Sequence, residues 1–502
     1  MIQHKNIFKF RLTLLLLTAF LFSQSIYAQK NFLFGLNAPF TDPVLQNIIA
    51  KQDLSMKDLL DNYHINYLRY PGGIPTRYYF WDRADLTGEA MKLYSEYLKG
   101  RGDKRQDYYS NYSENVKASE NNYKEFLSYC KKNNVIPIIE LNTSFYLNNN
   151  KIYQVEKFQK QKSKVLLQQN RWNNIEEYII AQMEFTHNIV DEVIWEFGNE
   201  DYFMYDAEEY ANLSINFMNI VKKRFPNDKI IVEMSNSWSK GARKKEWNKL
   251  FINYLNNKGV LEKIDYFAPH FYDNGGEQFD NTKEMMTKIT NDNISKFVEV
   301  TLANFPAGFK PKFFFTEFAA VMTALDNKNY NTQMHALLYF NYYMRFFASP
   351  YIVGIVQHTF TTLKAGFFYS PTAKEKLDYI KEHNSPLDII EYIPPQSEAI
   401  KIFFDSVGDK LFSFYPTDSF LLLITESKGK VIVQILNFDD KPHEVKFNNI
   451  QDLIGKKTGK VKTYTFDDLN AHYWYPEKTS ISSDLNSTEI SVPKHSFTTI
   501  IY

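Results

Sequence analysis

Short apolar runs, rich in β-branched and aromatic residues, alternate along most of this chain with longer stretches whose apolar positions recur every three or four residues. The short runs are FLFGLN (32–37), INYLRYPG (65–72), VIPIIELN (135–142), EVIWEFGNE (192–200), KIIVEM (229–234), YFAPHFY (266–272), KFFFTEF (312–318) and YIVGIVQHTF (351–360). Between them, segments such as YKEFLSYCKKN, EEYIIAQMEFTHNIV, AEEYANLSINFMNIVKKRF and MHALLYFNYYMRFFA carry helical spacing. Strand then helix, repeated around eight strands, predicts an α/β fold of the (β/α)8 TIM barrel type. An open doubly wound sheet that binds a dinucleotide would show a G-x-G-x-x-G turn after a strand, and no run is followed by one.

From about Lys410 the texture changes to LFSFYP, FLLLITES, KVIVQILNF, HEVKFNN, KVKTYTF, TEISVP and SFTTIIY, with turn residues between them and no long helical pattern. This predicts a C-terminal all-β sandwich domain. The preceding YIPPQSEAIKIFFDSVGD reads as a proline-marked entry to the last barrel helix. The expected division is therefore a catalytic barrel over 29–407 and a β domain over 408–502, with the segment 29–40 also a candidate to pair with the β domain. Residues 99–120, after the second strand, and 147–170, after the third, read as long insertions on the face where such barrels do chemistry.

Composition narrows the classes. With 502 residues, 44% of them hydrophobic, the chain can bury a large core. Lys plus Arg and Asp plus Glu balance at 58 each, so the positive field that a nucleic-acid partner needs is missing. At the N-terminus, Lys5, Lys9 and Arg11 precede the apolar run Leu12 to Phe22 and then small or polar residues up to Ala28. That layout predicts a cleaved secretory signal over residues 1–28, hence a secreted or periplasmic protein with no membrane attachment after cleavage. The single cysteine, Cys130, allows no internal disulfide and reads as a buried helix residue.

In a barrel, catalytic groups come from the C-terminal ends of the strands. Here those ends are rich in polar residues. The second run has Arg69 before Pro71-Gly72-Gly73; the third ends in Glu140 and Asn142, and the fourth in Asn199-Glu200. The sixth carries His270 and Tyr272, the seventh Glu317, and the eighth Gln357 and His358. Glycosidic cleavage requires one carboxylic acid to protonate the leaving oxygen and one carboxylate at the anomeric carbon. Glu200 and Glu317, on strands facing each other across the barrel mouth, meet that requirement. Glu196 shares strand parity with Glu200 and reads as a buried structural partner. Trp81, with Tyr78, Tyr79 and Phe80, is placed either to stack on sugar or to fill the core. No histidine or cysteine stands at ligand spacing from His270 and no H-E-x-x-H occurs, so no metal is expected.

The segment Trp195-Glu196-Phe197-Gly198-Asn199-Glu200 resembles the W-x-x-G-N-E of clan A glycoside hydrolases, notably the arabinofuranosidase and heparanase/β-glucuronidase families. Thr316-Glu317-Phe318 resembles the clan's nucleophile position, His270-Phe271-Tyr272 its sixth-strand H-x-Y, and Leu68-Arg69-Tyr70-Pro71-Gly72-Gly73 the L-R-F-P-G-G of arabinofuranosidases. The resemblance implies Glu200 as acid/base, Glu317 as nucleophile, Asn199 on the sugar 2-hydroxyl, Tyr272 on the nucleophile and Arg69 holding it ionised. Where several related families have a tryptophan on strand eight, this chain has Ile355-Val356-Gln357-His358, and Glu317 lacks a D-E-W context, so the glycone does not carry over. The expectation is a secreted retaining glycoside hydrolase acting on a polysaccharide or oligosaccharide by double displacement without a cofactor. Arg69, Asn142, Asn199, His270, Tyr272, Trp81 and Gln357 are its candidate substrate-binding residues. Exo and endo action both remain open. So do a carbohydrate-binding protein on the same barrel and a transglycosylase.

Overall fold

The computed structural model describes residues 32–39, 55–100, 102, 123–148, 151–154, 164–167, 174–235, 242–273, 282–287, 293–320, 332–358, 394–447, 450–455, 457–471, 474 and 476–502. The predicted signal segment, 1–28, lies outside these residues, as do nearly all of 101–122 and parts of 147–170.

All eight apolar runs form strands of one parallel ring. The first three are β1 (Leu33–Asn37), β2 (Tyr67–Tyr70) and β3 (Ile136–Leu141). The insertion after β3 contributes a separate antiparallel sheet of β4 (Phe145–Asn148), β5 (Lys151–Gln154) and β6 (Lys164–Leu167). The ring resumes with β7 (Ile194–Phe197), β8 (Lys229–Met234), β9 (Tyr266–Pro269) continued by β10 (Phe271–Asp273), β11 (Phe313–Ala320) and β12 (Ile352–Gln357). Parallel pairing runs β12-β1-β2-β3-β7-β8-β9, and β11 joins β9 to β12, which closes the barrel. Among the described residues no helix is long and apolar enough to cross a membrane.

Strand periodicity explains how this barrel carries a polar site on an apolar floor. Side chains alternate between the inside and outside of the ring, so residues two apart share a face. Leu33, Ile138, Ile194, Ile231, Ala268, Phe314 and Val356 form one buried cluster, with Tyr67 packed against it: one residue from each of the eight strands. Two positions further on, toward the C-terminal mouth, stand Arg69, Glu140, Glu196, Glu233, His270, Thr316 and His358. The floor excludes water from beneath, and the next layer holds nearly all the charge.

Helices α1 (Ser55–Asn62), α2 (Ala84–Gly100), α3 (Tyr123–Asn133), α4 (Ile175–His187), α5 (Ala207–Arg224), α6 (Ala242–Asn257), α7 (Thr282–Met286), α8 (Asn293–Leu302), α9 (Gln333–Ala348) and α10 (Pro395–Ser406) belong to the barrel part of the chain. Cys130 is buried in α3 as a free thiol. The C-terminal strands are β13 (Lys410–Pro416), β14 (Phe420–Ser427), β15 (Lys430–Asn437), β16 (His443–Lys446), β17 (Gly459–Thr465), β18 (Ser480–Leu485), β19 (Glu489–Val492) and β20 (Ser496–Ile501). They form a six-stranded antiparallel sheet, β13-β14-β15-β20-β17-β18, and a two-stranded second layer, β16-β19. Leu422, Ile424, Val433, Ile435 and Ile500 pack with Val445, Phe447 and Val492 of that layer. The alternate residues Leu421, Leu423, Leu436 and Phe497 join the barrel's own core cluster instead.

Candidate active site

Arg69 organises the charged layer. It is fully buried on β2, and its guanidinium donates from Nε and Nη2 to Glu196, from Nη1 to Glu317 Oε1 at 2.9 Å, and from Nη2 to Asn199 Oδ1 at 3.0 Å. Nη2 also lies 2.7 Å from Glu140 Oε1. One planar cation with five donors can face three carboxylates at once, which a lysine ammonium cannot. Glu140 is held in turn by the backbone N–H groups of Gly72 and Gly73. Thr316 donates to Glu196 at 2.6 Å, so Glu196 is a structural partner of the cluster.

Glu317 sits in a register shift between β11 and β12, which lets the consecutive residues Thr316 and Glu317 both reach inward. Its Oε1 accepts from Arg69 and its Oε2 from the Tyr272 hydroxyl. His270, at the break between β9 and β10, places Nδ1 3.4 Å from Glu317 Oε2 and 3.6 Å from Glu200 Oε1. Tyr202 donates to the same Glu200 oxygen at 2.8 Å. The Glu200 side chain is 23% exposed and that of Glu317 is 7% exposed, so both reach the edge of the cavity from an otherwise buried layer.

Electrostatics separates these groups. Burial would raise the Glu317 carboxyl, but His270, His358, Arg69 and the Tyr272 hydrogen bond together hold it far below the usual carboxylate range. Burial likewise pushes Glu200 up, while the nearby His270 imidazole brings it below its ordinary value. Burial depresses His270, but the two glutamates outweigh it and raise the imidazole above 6.5. His270 thus stands between two carboxylates whose charges favour its protonated form.

The turn carrying Glu200 depends on Gly198. Gly198 has φ +86° and Glu200 φ +52°, both left-handed, and a Cβ at Gly198 would collide with the Asp201 carboxylate. We expect Gly198→Ala to destabilise the protein by about 1–3 kcal/mol and to displace Glu200. Thermal unfolding, read beside turnover, checks this; an unchanged Tm with full activity contradicts it.

Asn199, Tyr272, His270 and Arg69 join the glutamates, but other candidate positions do not. Trp81 is packed among Tyr123, Tyr178 and Phe185, in the layer between barrel and helices, and offers no face to a sugar. Of the two readings of Trp81, stacking on sugar or filling the core, these contacts match the second. The Asn142 amide is consumed internally, donating to the Tyr79 carbonyl and accepting from the Ser144 N–H, so it too is a structural residue. Gln357 is buried and donates to the Tyr339 hydroxyl at 2.6 Å, on the helix side of β12, while His358 faces the site, with Nδ1 3.0 Å from Asn37 Nδ2. The sequence reading passed over Tyr202, Arg77, Asn37 and Glu233. For Glu233 a signal existed: a lone carboxylate near the C-terminal end of an apolar run.

Among the described residues, Glu196, Glu233 and His270 have atoms close enough to share a metal ion. Each oxygen of both carboxylates already accepts a hydrogen bond, those of Glu196 from Arg69 and Thr316 and those of Glu233 from two backbone N–H groups, and the Arg69 guanidinium against Glu196 opposes a second cation there.

No protein-family model matches the chain, and no curated protein matches it in sequence. Solved structures do match it in fold. A family 51 α-L-arabinofuranosidase of Bifidobacterium longum superposes with a TM-score of 0.59 at 11% identity, covering 95% of this chain and 96% of its own. A family 44 xyloglucanase of Paenibacillus polymyxa gives 0.52 at 10% identity, over 88% and 94% of the two chains. A GH30 endoxylanase of Clostridium papyrosolvens gives 0.51 at 12%, over 95% and 97%. Over nearly its whole length, the chain is similar in fold to glycoside hydrolases of families 51, 44 and 30.

Proposed function

We propose that this protein is a retaining glycoside hydrolase that cleaves O-glycosidic bonds of a polysaccharide or oligosaccharide, with Glu200 as acid/base and Glu317 as nucleophile. The observation that carries this reading is the pair of carboxylates held about His270 Nδ1, at 3.6 and 3.4 Å, one with a strongly depressed pKa and the other on a strained turn. Those two distances bound the gap between the nearer oxygens at about 7 Å, a range that includes the ~5 Å spacing of retaining enzymes.

In the first step Glu317, kept ionised by Arg69 and Tyr272, attacks the anomeric carbon while Glu200 protonates the departing oxygen. In the second, Glu200 takes a proton from water, which displaces Glu317 with a second inversion. The proton for the first step rests on His270 in the free site and passes from Nδ1 to Glu200 once a substrate oxygen covers that carboxylate. Asn199 is held by Arg69 through Oδ1, which leaves its NH2 to donate to the sugar. Residues 1–28 serve as an export leader, which places the reaction outside the cytoplasm. The similar structures include enzymes named for arabinofuranosides, xyloglucan and xylan, so glycosides of arabinofuranose, xylose and glucose are the panel to try first. NMR of the first product formed from that panel tests the reading: retained anomeric configuration supports it, and inverted product, or no hydrolysis of any member, overturns it.

The active form needs one proton shared among Glu200, Glu317 and His270. Since Glu317 lies well below its ordinary value, activity should persist through the mildly acidic range. Since His270 lies above 6.5, activity should fall as pH rises past that raised value and the shared proton is lost. His270→Asn should move the alkaline limb of kcat/KM. A profile identical to wild type would show that His270 does not store the proton.

A further inference from the structure

The turn bearing Glu200 is gripped from two sides by residues that bond its backbone. Glu233, 1% exposed at the end of β8, accepts the backbone N–H of Glu200 at 2.6 Å on Oε1 and that of Asp201 at 2.9 Å on Oε2. From the opposite side Arg77, 4% exposed, donates from Nε and Nη2 to the Asn199 carbonyl at 3.0 and 2.6 Å, and from Nη2 to the Glu200 carbonyl at 3.0 Å. Two consecutive amides are thus met by a carboxylate and two consecutive carbonyls by a guanidinium. Tyr210 of α5 completes the frame, donating to the Phe197 carbonyl and accepting the Glu233 N–H at 3.1 Å.

This grip falls on the one residue of the pair whose backbone is strained. A left-handed φ at a non-glycine residue is strained and relaxes unless its surroundings hold it. Relaxation would swing the Glu200 side chain away from Tyr202 and His270, and a displacement of about 1 Å at a catalytic group costs on the order of a hundredfold in rate. Charge-assisted hydrogen bonds to buried backbone are the stronger kind, and Arg77 supplies them on one side, while on the other the Glu233 carboxyl, pushed up by burial and by Asp201, accepts both N–H groups. Glu317 needs no such device: it lies within β11.

We propose that Glu233 and Arg77 are positioning residues that hold the turn of Glu200 in its proton-delivering conformation, an inference that rests on the glycosidase reading above. Glu233→Gln keeps size and one acceptor but turns an NH2 toward an N–H, so one half of the grip is lost. Arg77→Lys keeps the charge but loses the fork.

The test compares wild type, Glu200→Ala, Glu233→Gln and Arg77→Lys on paired aryl glycosides of arabinofuranose, xylose and glucose. One member of each pair carries 2,4-dinitrophenolate, which leaves without a proton, and the other phenolate, which needs one. For both positioning variants, kcat/KM on the phenyl glycoside should fall about 10–100-fold while that on the dinitrophenyl glycoside stays within about threefold of wild type. Their kcat on the dinitrophenyl glycoside should fall together with KM as the second step becomes limiting, and azide should restore it. Loss in equal proportion on both leaving groups, or no loss on either, overturns the clamp even where Glu200→Ala gives the expected pattern. Should Glu233→Gln fail to fold by thermal unfolding, Arg77→Lys decides alone. Wild-type protein inert on every pair overturns the glycosidase reading and the clamp with it.

Discussion

Glu317→Gly should lower turnover by on the order of 10⁴–10⁶-fold, the scale expected when a nucleophile is removed, and azide should partly restore it. With the side chain gone, the space it occupied at the mouth admits a small anion. Azide would attack the anomeric carbon once, so its product should be a glycosyl azide of inverted configuration, whereas double displacement inverts twice. We expect the largest loss of any single change here, because the covalent bond of the proposed mechanism forms on Glu317, the carboxylate on which Arg69, Tyr272 and His270 converge. Product NMR and steady-state rates measure both halves. Wild-type turnover in Glu317→Gly removes the assignment, and azide product of retained configuration removes the single-displacement account of the rescue.

The second large effect falls on stability. Arg69→Met leaves Glu140, Glu196 and Glu317 buried without the cation that faces all three. Stripping one partner from a buried ion cluster costs about 3–5 kcal/mol, a substantial part of the ~5–15 kcal/mol that holds a typical domain. Arg69→Lys should recover only part, because a point charge on a flexible stem cannot span three carboxylates on separate strands. Chemical denaturation gives the number. The surviving Glu317 should also titrate higher, so the acid limb of any residual activity moves up in pH. A methionine variant as stable as wild type would mean that the cluster is held by its neighbours rather than by Arg69.

Much of this was legible in the sequence because a parallel barrel writes its layers into strand periodicity. Each of the eight apolar runs became a strand, and the polar residues at their ends converged because the ring closes. What escaped had identifiable causes. The fifth run, KIIVEM, ends in an apolar residue, and Glu233 just before it acts on backbone rather than on another conspicuous side chain. Arg77 lies in a short 3-10 turn, Ile74–Tyr78, where no periodicity tells inward from outward. Trp81 looked available for a sugar, but whether an aromatic lines a cavity or packs behind a strand is decided by the path of the connecting loop. The insertion after β3 reads as loop because four-residue strands bearing Lys and Gln give too weak a pattern, although they pair as an antiparallel sheet.

The C-terminal sheet has apolar residues on both faces, and one of those faces is continuous with the barrel. Phe497 of β20 stacks on Phe340 of α9 at 3.9 Å, and α9 is buried along almost its whole length, between ring and sheet. The β domain is therefore one wall of the barrel's own interior. A gene fragment stopping after α10 would encode a barrel with its ninth helix stripped bare, a sticky surface in place of an interior.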